Sequence, residues 1–132
     1  MNPVQLKEKG TILSIAGTID HLHIICSKAL FNQHTGKISV LTVNISSVKN
    51  SVFDDTCVLH AGDHPFIKHD SYVRYKDAVL MDHQTTIDRI RSGEIKVLSD
   101  VSDSVYTRVL AGFRQSPRTP RTIIKFMNVH KL

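Results

Sequence analysis

Short apolar runs separated by turn residues fill the first 81 residues of the chain. Most runs are rich in β-branched residues and are bounded by Gly, Asn, Asp or Pro, which is typical of strands joined by tight turns. A turn at residues 17–20 separates the first two runs and predicts a β-hairpin. The pattern predicts five strands, over residues 11–16, 21–26, 37–45, 56–60 and 71–81.

The apolar period lengthens after residue 82, which predicts helices. A short helix over residues 85–92 is expected to end at Gly93, because glycine readily takes the left-handed conformation that follows many helices. Ser99 or Ser102 can cap a second helix, since serine accepts a hydrogen bond from a free N–H of the first turn. A third helix is predicted with Thr119 as its cap and Pro120 at its first position.

Strands followed by helices predict an α+β fold, with a small barrel or curled sheet and helices at its C-terminal end. With 132 residues, the chain has the length of one domain. We expect a single domain over residues 1–132, in which residues 10–81 form the β core and residues 82–132 form a helical extension.

The composition excludes several classes of protein. Hydrophobic residues make up 41% of the chain and charged residues 22%, unlike disordered, collagen-like or disulfide-scaffold proteins. No apolar run is long enough to cross a bilayer, and the charged N-terminal segment is unlike a signal peptide, so we expect a cytoplasmic protein. Cys26 and Cys57 are expected to be buried thiols.

The net charge of +5 arises in the last 32 residues, which contain six basic residues and one acidic residue. Such a local excess favours binding of a polyanion or an acidic partner. The alternative is a solvated basic helix face. The tail residues predicted to bind nucleic acid, which flank a turn with two prolines, are Arg114, Arg118, Arg121 and Lys125.

Several motifs occur in a characteristic order along the first 81 residues. Ile24-Ile-Cys-Ser27 precedes Phe31-Asn32 and the turn Thr35-Gly36, and Val43-Asn-Ile-Ser-Ser47 follows. Tyr72-Val-Arg-Tyr-Lys-Asp77 then places an arginine near an aspartate. This order and spacing resemble the MazF/PemK family of growth-inhibiting toxins, over about residues 10–81.

The resemblance implies an SH3-like β-barrel of about five to seven strands. It also implies a homodimer that pairs with an antitoxin protein and acts as a metal-independent endoribonuclease on single-stranded RNA, without a cofactor. The alternative is a catalytically inactive barrel that binds nucleic acid or a protein partner.

The same resemblance implies a catalytic set of Arg74, Ser46 and Asp77, with Arg74 stabilising charge on the phosphate. The family's Arg-Pro loop is missing, and His21-Leu22-His23 stands at its place. Because side chains alternate along a strand, Arg74 and Lys76 are expected on one face and Asp77 on the other.

The segment from residue 59 to residue 71 is unusual in its histidine content. His64 and His69 are candidates for the acid and base of RNA cleavage, because imidazole ordinarily changes its charge near neutral pH. The alternative is that they support turns. A zinc site is not expected, since the spacings lack paired ligands.

Tyr72 and Lys76 are candidate RNA-binding residues, because aromatic rings beside cations bind single strands by stacking and charge. Two tyrosines, Tyr72 and Tyr75, lie in this segment. The alternative is that one tyrosine packs in the core and the other covers a strand.

Overall fold

The computed structural model describes residues 5–14 and 21–132. Within this part of the chain, eight strands, three α-helices and one 3-10 turn confirm the α+β class. The predicted turn at 17–20 and the end of the first predicted strand lie outside the described residues. The elements are β1 (Thr11–Ser14), β2 (Leu22–Ile25), β3 (Leu30–Asn32), β4 (Lys37–Ser47), β5 (Val58–Leu59), β6 (Ser71–Val73), the 3-10 turn (Tyr75–Asp77), β7 (Val79–Asp82), α1 (His83–Ser92), β8 (Ile95–Leu98), α2 (Asp103–Gln115) and α3 (Arg121–Val129).

All strand pairs are antiparallel, and the order across the sheet is β5-β6-β4-β2-β1-β8. The central strand β4 also pairs with β3 and β7. Among the described strands, β5 and β8 form the two ends and do not pair with each other. The described sheet is therefore open and is not a closed barrel.

Strand β4 has two successive partners along each edge. Ile45 pairs with Leu22 of β2 on one side and Val73 of β6 on the other, and Ser39 pairs with Leu30 of β3 and with β7. Between β6 and β7 the chain leaves the sheet for the 3-10 turn. The prediction of one continuous strand over residues 71–81 was therefore wrong.

The two faces of the sheet bury separate apolar clusters. Ile24 and Leu41 belong to a cluster with residues of α2 and α3, whereas their neighbours Ile25 and Val40 belong to a cluster with Ile87 of α1. Neighbouring residues fall in different clusters because strand side chains alternate between faces. The face of β4 that packs against α1 at Val40 becomes polar toward the C-terminal end of the strand.

The helix boundaries confirm most of the predicted signals. Gly93 has a φ of 87° and ends α1, and the Ser102 side chain accepts a hydrogen bond from the Val105 N–H. The predicted cap at Thr119 was wrong, because its hydroxyl donates to the Phe113 carbonyl at 2.7 Å and α3 has no side-chain cap. Thr119 instead ties the inter-helix loop to the end of α2.

Both cysteines are buried free thiols, as predicted. Burial raises the pKa of Cys26, which keeps this thiol protonated and unreactive. Within residues 5–14 and 21–132, no helix has the length and apolar character needed to span a membrane.

Candidate functional site

A cleft of about 470 Å³ opens beside the C-terminal end of β4. Four of the residues predicted from the sequence line it: Ser46, His69, Tyr72 and Arg74. Ser46 belongs to β4 and Tyr72 to β6, while His69 and Arg74 flank β6, so the fold brings together side chains that are up to 28 positions apart in the chain. The cleft is therefore the candidate functional site.

Strand register explains why three of these side chains share one face. Ser46 pairs directly with Tyr72, and the Arg74 N–H donates to the Asn44 carbonyl at 3.0 Å. Their neighbours Ile45 and Val73 lie in the apolar cluster beneath α2 and α3. Because side chains alternate, Ser46, Tyr72 and Arg74 face the other side and line the cleft.

Arg74 forms an ion pair with Asp77, and the 3-10 turn creates this contact. The strand prediction put Asp77 on the opposite face, which was wrong because β6 ends at Val73. The turn places residues i and i+3 together, so the Arg74 Nη2 and Asp77 Oδ2 atoms lie 2.9 Å apart. Lys76 is exposed and does not line the main cleft.

The cleft is positively charged. Besides Arg74, it is lined by Lys49 and Lys68, two cations that the sequence interpretation missed, and no acidic residue within 5–14 and 21–132 lines it. His21 also lines it, at the place where the resembled family has its Arg-Pro pair. Lys49 and Lys68 lie in connecting segments and match no motif, so only the folded chain identifies them.

The two predicted histidines have different environments. His69 is exposed in the cleft. His64 is 3% exposed, and its Nδ1 accepts from the Phe66 N–H at 3.0 Å while its Nε2 donates to the Ser99 carbonyl at 2.7 Å. Both ring nitrogens thus contact backbone groups, which favours the structural alternative for His64 over a catalytic role.

The two tyrosines also have separate roles. Tyr75 is fully buried, and its hydroxyl donates to the Val109 carbonyl at 2.7 Å. Tyr72 is half-buried at the cleft, and its ring contacts that of Phe53 with centroids 5.2 Å apart. One tyrosine therefore belongs to the core, and the other provides an aromatic surface at the candidate site.

The four basic residues predicted in the tail lie in different surroundings. Arg118 lines a smaller cavity next to the main cleft, and Lys125 lines a separate groove beside α3. Arg114 donates to the carbonyl of Leu132, and Arg121 is exposed at the start of α3. Of these four residues, Arg118 is the one that lines a cavity next to the main cleft.

Next to the cleft, the same face of the sheet contains a polar pair that the sequence interpretation missed, in which His23 is half-buried and Asn44 is buried. His23 pairs with Asn44 across β2 and β4, and the buried Asn44 Oδ1 atom has no hydrogen-bond partner among the described residues. Burial, together with the nearby His21, lowers the pKa of His23 to about 4. His23 is therefore neutral at pH 7.

We expect acid to destabilise the protein through His23. Between pH 6.5 and about 4 the unfolded chain binds a proton at His23 that the folded chain does not. The free energy of unfolding should therefore fall by about 3 kcal/mol as the pH drops through this window, and the full stability is present above it. Urea unfolding at pH 7 and pH 4.5 measures the change.

The control for this prediction is His34→Gln, which changes an exposed turn histidine. His23→Gln should remove most of the loss between pH 7 and pH 4.5, whereas His34→Gln should leave it intact. An equal pH dependence in the parent and in His23→Gln would contradict the prediction.

Comparison of the chain with protein-family models, with curated proteins and with solved structures finds no match in any of the three. The resemblance to the MazF/PemK family therefore stays a prediction. The functional argument rests on the residues of the cleft.

Proposed function

We propose that this chain is a MazF/PemK-like endoribonuclease that cleaves single-stranded RNA without a metal ion. The observation that supports this best is a cleft lined by two histidines and three cations, with no acidic residue among the lining residues that the structure describes. A phosphodiester backbone is a polyanion, and its cleavage requires acid, base and charge stabilisation at one phosphate. The cleft offers residues for each of these tasks.

The proposed chemistry is attack of the ribose 2′-oxygen on the adjacent phosphorus. One histidine of the pair His21 and His69 takes the 2′-hydroxyl proton, and the other gives a proton to the departing 5′-oxygen. The P–O5′ bond breaks, which leaves a 2′,3′-cyclic phosphate and a 5′-hydroxyl. Arg74 donates hydrogen bonds to the phosphate oxygens as their charge increases, and Ser46 lies on the same wall of the cleft.

Asp77 has a positioning role in this proposal. Its carboxylate holds the guanidinium of Arg74, which is 30% exposed, in a defined orientation. A preorganised donor is more effective than a mobile one, because less conformational freedom is lost when the transition state forms.

An SH3-like barrel is part of the same proposal. The two successive partners along each edge of β4 support it, because a central strand of this kind is found in small curled sheets. A homodimer and an antitoxin partner are further parts of the proposal, and they rest on the sequence resemblance alone.

The alternative proposal is a module that binds nucleic acid or a protein partner without cutting RNA. The existing ion pair between Arg74 and Asp77 favours it, because the guanidinium charge is already compensated. Both proposals use the same cleft. They differ in whether the bound RNA is cut or stays intact.

The deciding experiment incubates the purified protein with a long unstructured RNA in EDTA. The nuclease proposal expects fragments with 2′,3′-cyclic phosphate ends, and no cutting of single-stranded DNA of the same sequence. Bound but intact RNA would establish the non-catalytic module, and neither binding nor cutting would reject both proposals.

The two histidines of the predicted segment provide a matched pair of variants. His69→Gln should lower the rate of RNA cleavage at unchanged thermal stability, because it removes an exposed imidazole of the cleft. His64→Gln should lower the melting temperature, because it disturbs bonds to buried backbone groups, and leave the activity of the folded fraction unchanged. Equal cleavage by His69→Gln and the parent would remove His69 from the mechanism.

A further inference from the structure

A second cavity of about 200 Å³ adjoins the main cleft. Phe53, Tyr72 and Arg74 line both cavities, so the aromatic pair Phe53–Tyr72 stands between them. Lys76 and Arg118 line the second cavity but not the main cleft. One pair of rings therefore has cations on both of its sides.

Two of the three cations of the second cavity form no ion pair with a described residue. Arg74 is paired with Asp77, but neither Lys76 nor Arg118 forms an ion pair with any described residue. Both side chains are exposed. They are therefore available to an anionic ligand.

Asp54, the acidic residue that lines the second cavity, is occupied by other contacts. Its carboxylate accepts hydrogen bonds from the hydroxyls of Thr56 and Ser116, each at 2.6 Å. These bonds and the charge of Arg118 lower the pKa of Asp54, although partial burial acts in the opposite direction. The Ser116 hydroxyl also accepts from the Arg118 N–H at 3.1 Å, so Asp54 fixes the loop that presents Arg118.

We infer that the second cavity binds the nucleotide next to the one in the main cleft, with its base against Phe53 and Tyr72 and its phosphate held by Lys76 and Arg118. This inference rests on the proposed function and adds a binding site contributed in part by the helical extension. Stacking on an aromatic face needs a base that is unpaired. The site therefore selects single strands over duplexes.

The test measures binding of a fluorescent, unstructured 12-nucleotide 2′-O-methyl RNA, which cannot be cleaved at its 2′ position. Fluorescence anisotropy in EDTA gives the dissociation constant at several salt concentrations between 50 and 300 mM. Arg118→Gln should weaken binding about tenfold at low salt. It should also reduce the slope of log K against log salt by about 0.7, the value for one lost phosphate contact with a single strand.

The matched control is Arg121→Gln, because Arg121 is an exposed arginine three residues further along that lines neither cavity. It should change affinity and salt slope far less than Arg118→Gln. Equal effects of the two variants would overturn the inference and leave only a diffuse basic surface. If the parent protein does not bind the RNA at all, the proposed function itself is rejected.

The stacking of the base against Phe53 and Tyr72 is tested separately. Phe53→Leu should weaken single-strand binding about tenfold with an unchanged salt slope, whereas Phe53→Tyr should keep the affinity, since stacking contributes about 1–3 kcal/mol per base. The parent should bind the annealed duplex less tightly than the single strand. Equal or tighter duplex binding, or normal binding by Phe53→Leu, would overturn stacking at this site.

Discussion

Arg74→Ala should lower RNA cleavage by about 10²-fold or more while the protein remains folded. Asp77 holds the Arg74 guanidinium in a fixed orientation, since the Arg74 Nη2 and Asp77 Oδ2 atoms lie 2.9 Å apart. The pair is partly exposed on both sides, and such surface pairs contribute at most about 1 kcal/mol to stability. The melting temperature should therefore change by only a few degrees while the single-turnover rate in EDTA falls sharply.

Two further substitutions separate charge from geometry at this site. Arg74→Lys should recover only part of the rate, because an ammonium group lacks the planar fork that matches phosphate oxygens. Asp77→Asn should cause a smaller loss than Arg74→Ala, since it leaves the cation in place but removes its anchor. The control is Arg91→Ala on α1, which changes an exposed arginine outside both cavities. Cleavage by Arg74→Ala at the parental rate would remove Arg74 from the mechanism.

Much of the candidate site follows from local rules that the sequence displays. Alternation along a strand is enough to place Tyr72 and Arg74 on one face, and the motif order adds Ser46 from β4. The register Ser46–Tyr72 then confirms that the two strands are neighbours. The shared face of Tyr72 and Arg74 was predictable because alternation depends on a few consecutive residues, whereas Ser46 came from the family resemblance.

The missed features depend on contacts between distant segments. The strand propensity of residues 71–81 gives no sign of a break, because the break follows from the burial of Tyr75 beneath α2. His64 resembles an exposed turn histidine in the sequence, yet the backbone of Ser99 and Phe66 occupies its ring. Tertiary contacts therefore override local propensity at both places.

The charge distribution gives a prediction for the tail as a whole but not for individual residues. Six basic residues near the C-terminus predict a polyanion partner. Which of them lie near the cleft depends on the loop between α2 and α3, and the hydrogen bond from Ser116 to Asp54 fixes that loop. No local pattern in the sequence joins two residues that are 62 positions apart.

The contact between α2 and the 3-10 turn yields the largest expected effect on stability. Gly112→Ala should lower the free energy of unfolding by about 2–4 kcal/mol, because a Cβ atom at this position would overlap the phenol of Tyr75. The ring cannot withdraw, since it packs edge-on against Phe113 and its hydroxyl is bonded to the Val109 carbonyl. The gain of about 1 kcal/mol that alanine ordinarily brings to a helix is too small to offset the overlap.

Urea unfolding of the single and double variants tests this contact. Ala111→Gly, at the exposed neighbouring position, measures helix propensity alone and should cost about 1 kcal/mol. Tyr75→Leu combined with Gly112→Ala should be clearly less destabilised than the sum of the two single variants, because the smaller side chain leaves room for the new methyl group. The contact would be contradicted if Gly112→Ala were as stable as the parent. It would also be contradicted if the double variant lost the full sum of the free energies lost by the two single variants.

The same substitution links the core to the candidate site. Tyr75 directly follows Arg74 and begins the 3-10 turn that ends at Asp77. If Gly112→Ala displaces Tyr75, the turn moves with it and the distance between Arg74 and Asp77 increases. The folded fraction of Gly112→Ala should therefore cleave RNA more slowly than the parent, whereas the folded fraction of Ala111→Gly should cleave at the parental rate. Parental cleavage by folded Gly112→Ala would show that the site tolerates displacement of the turn.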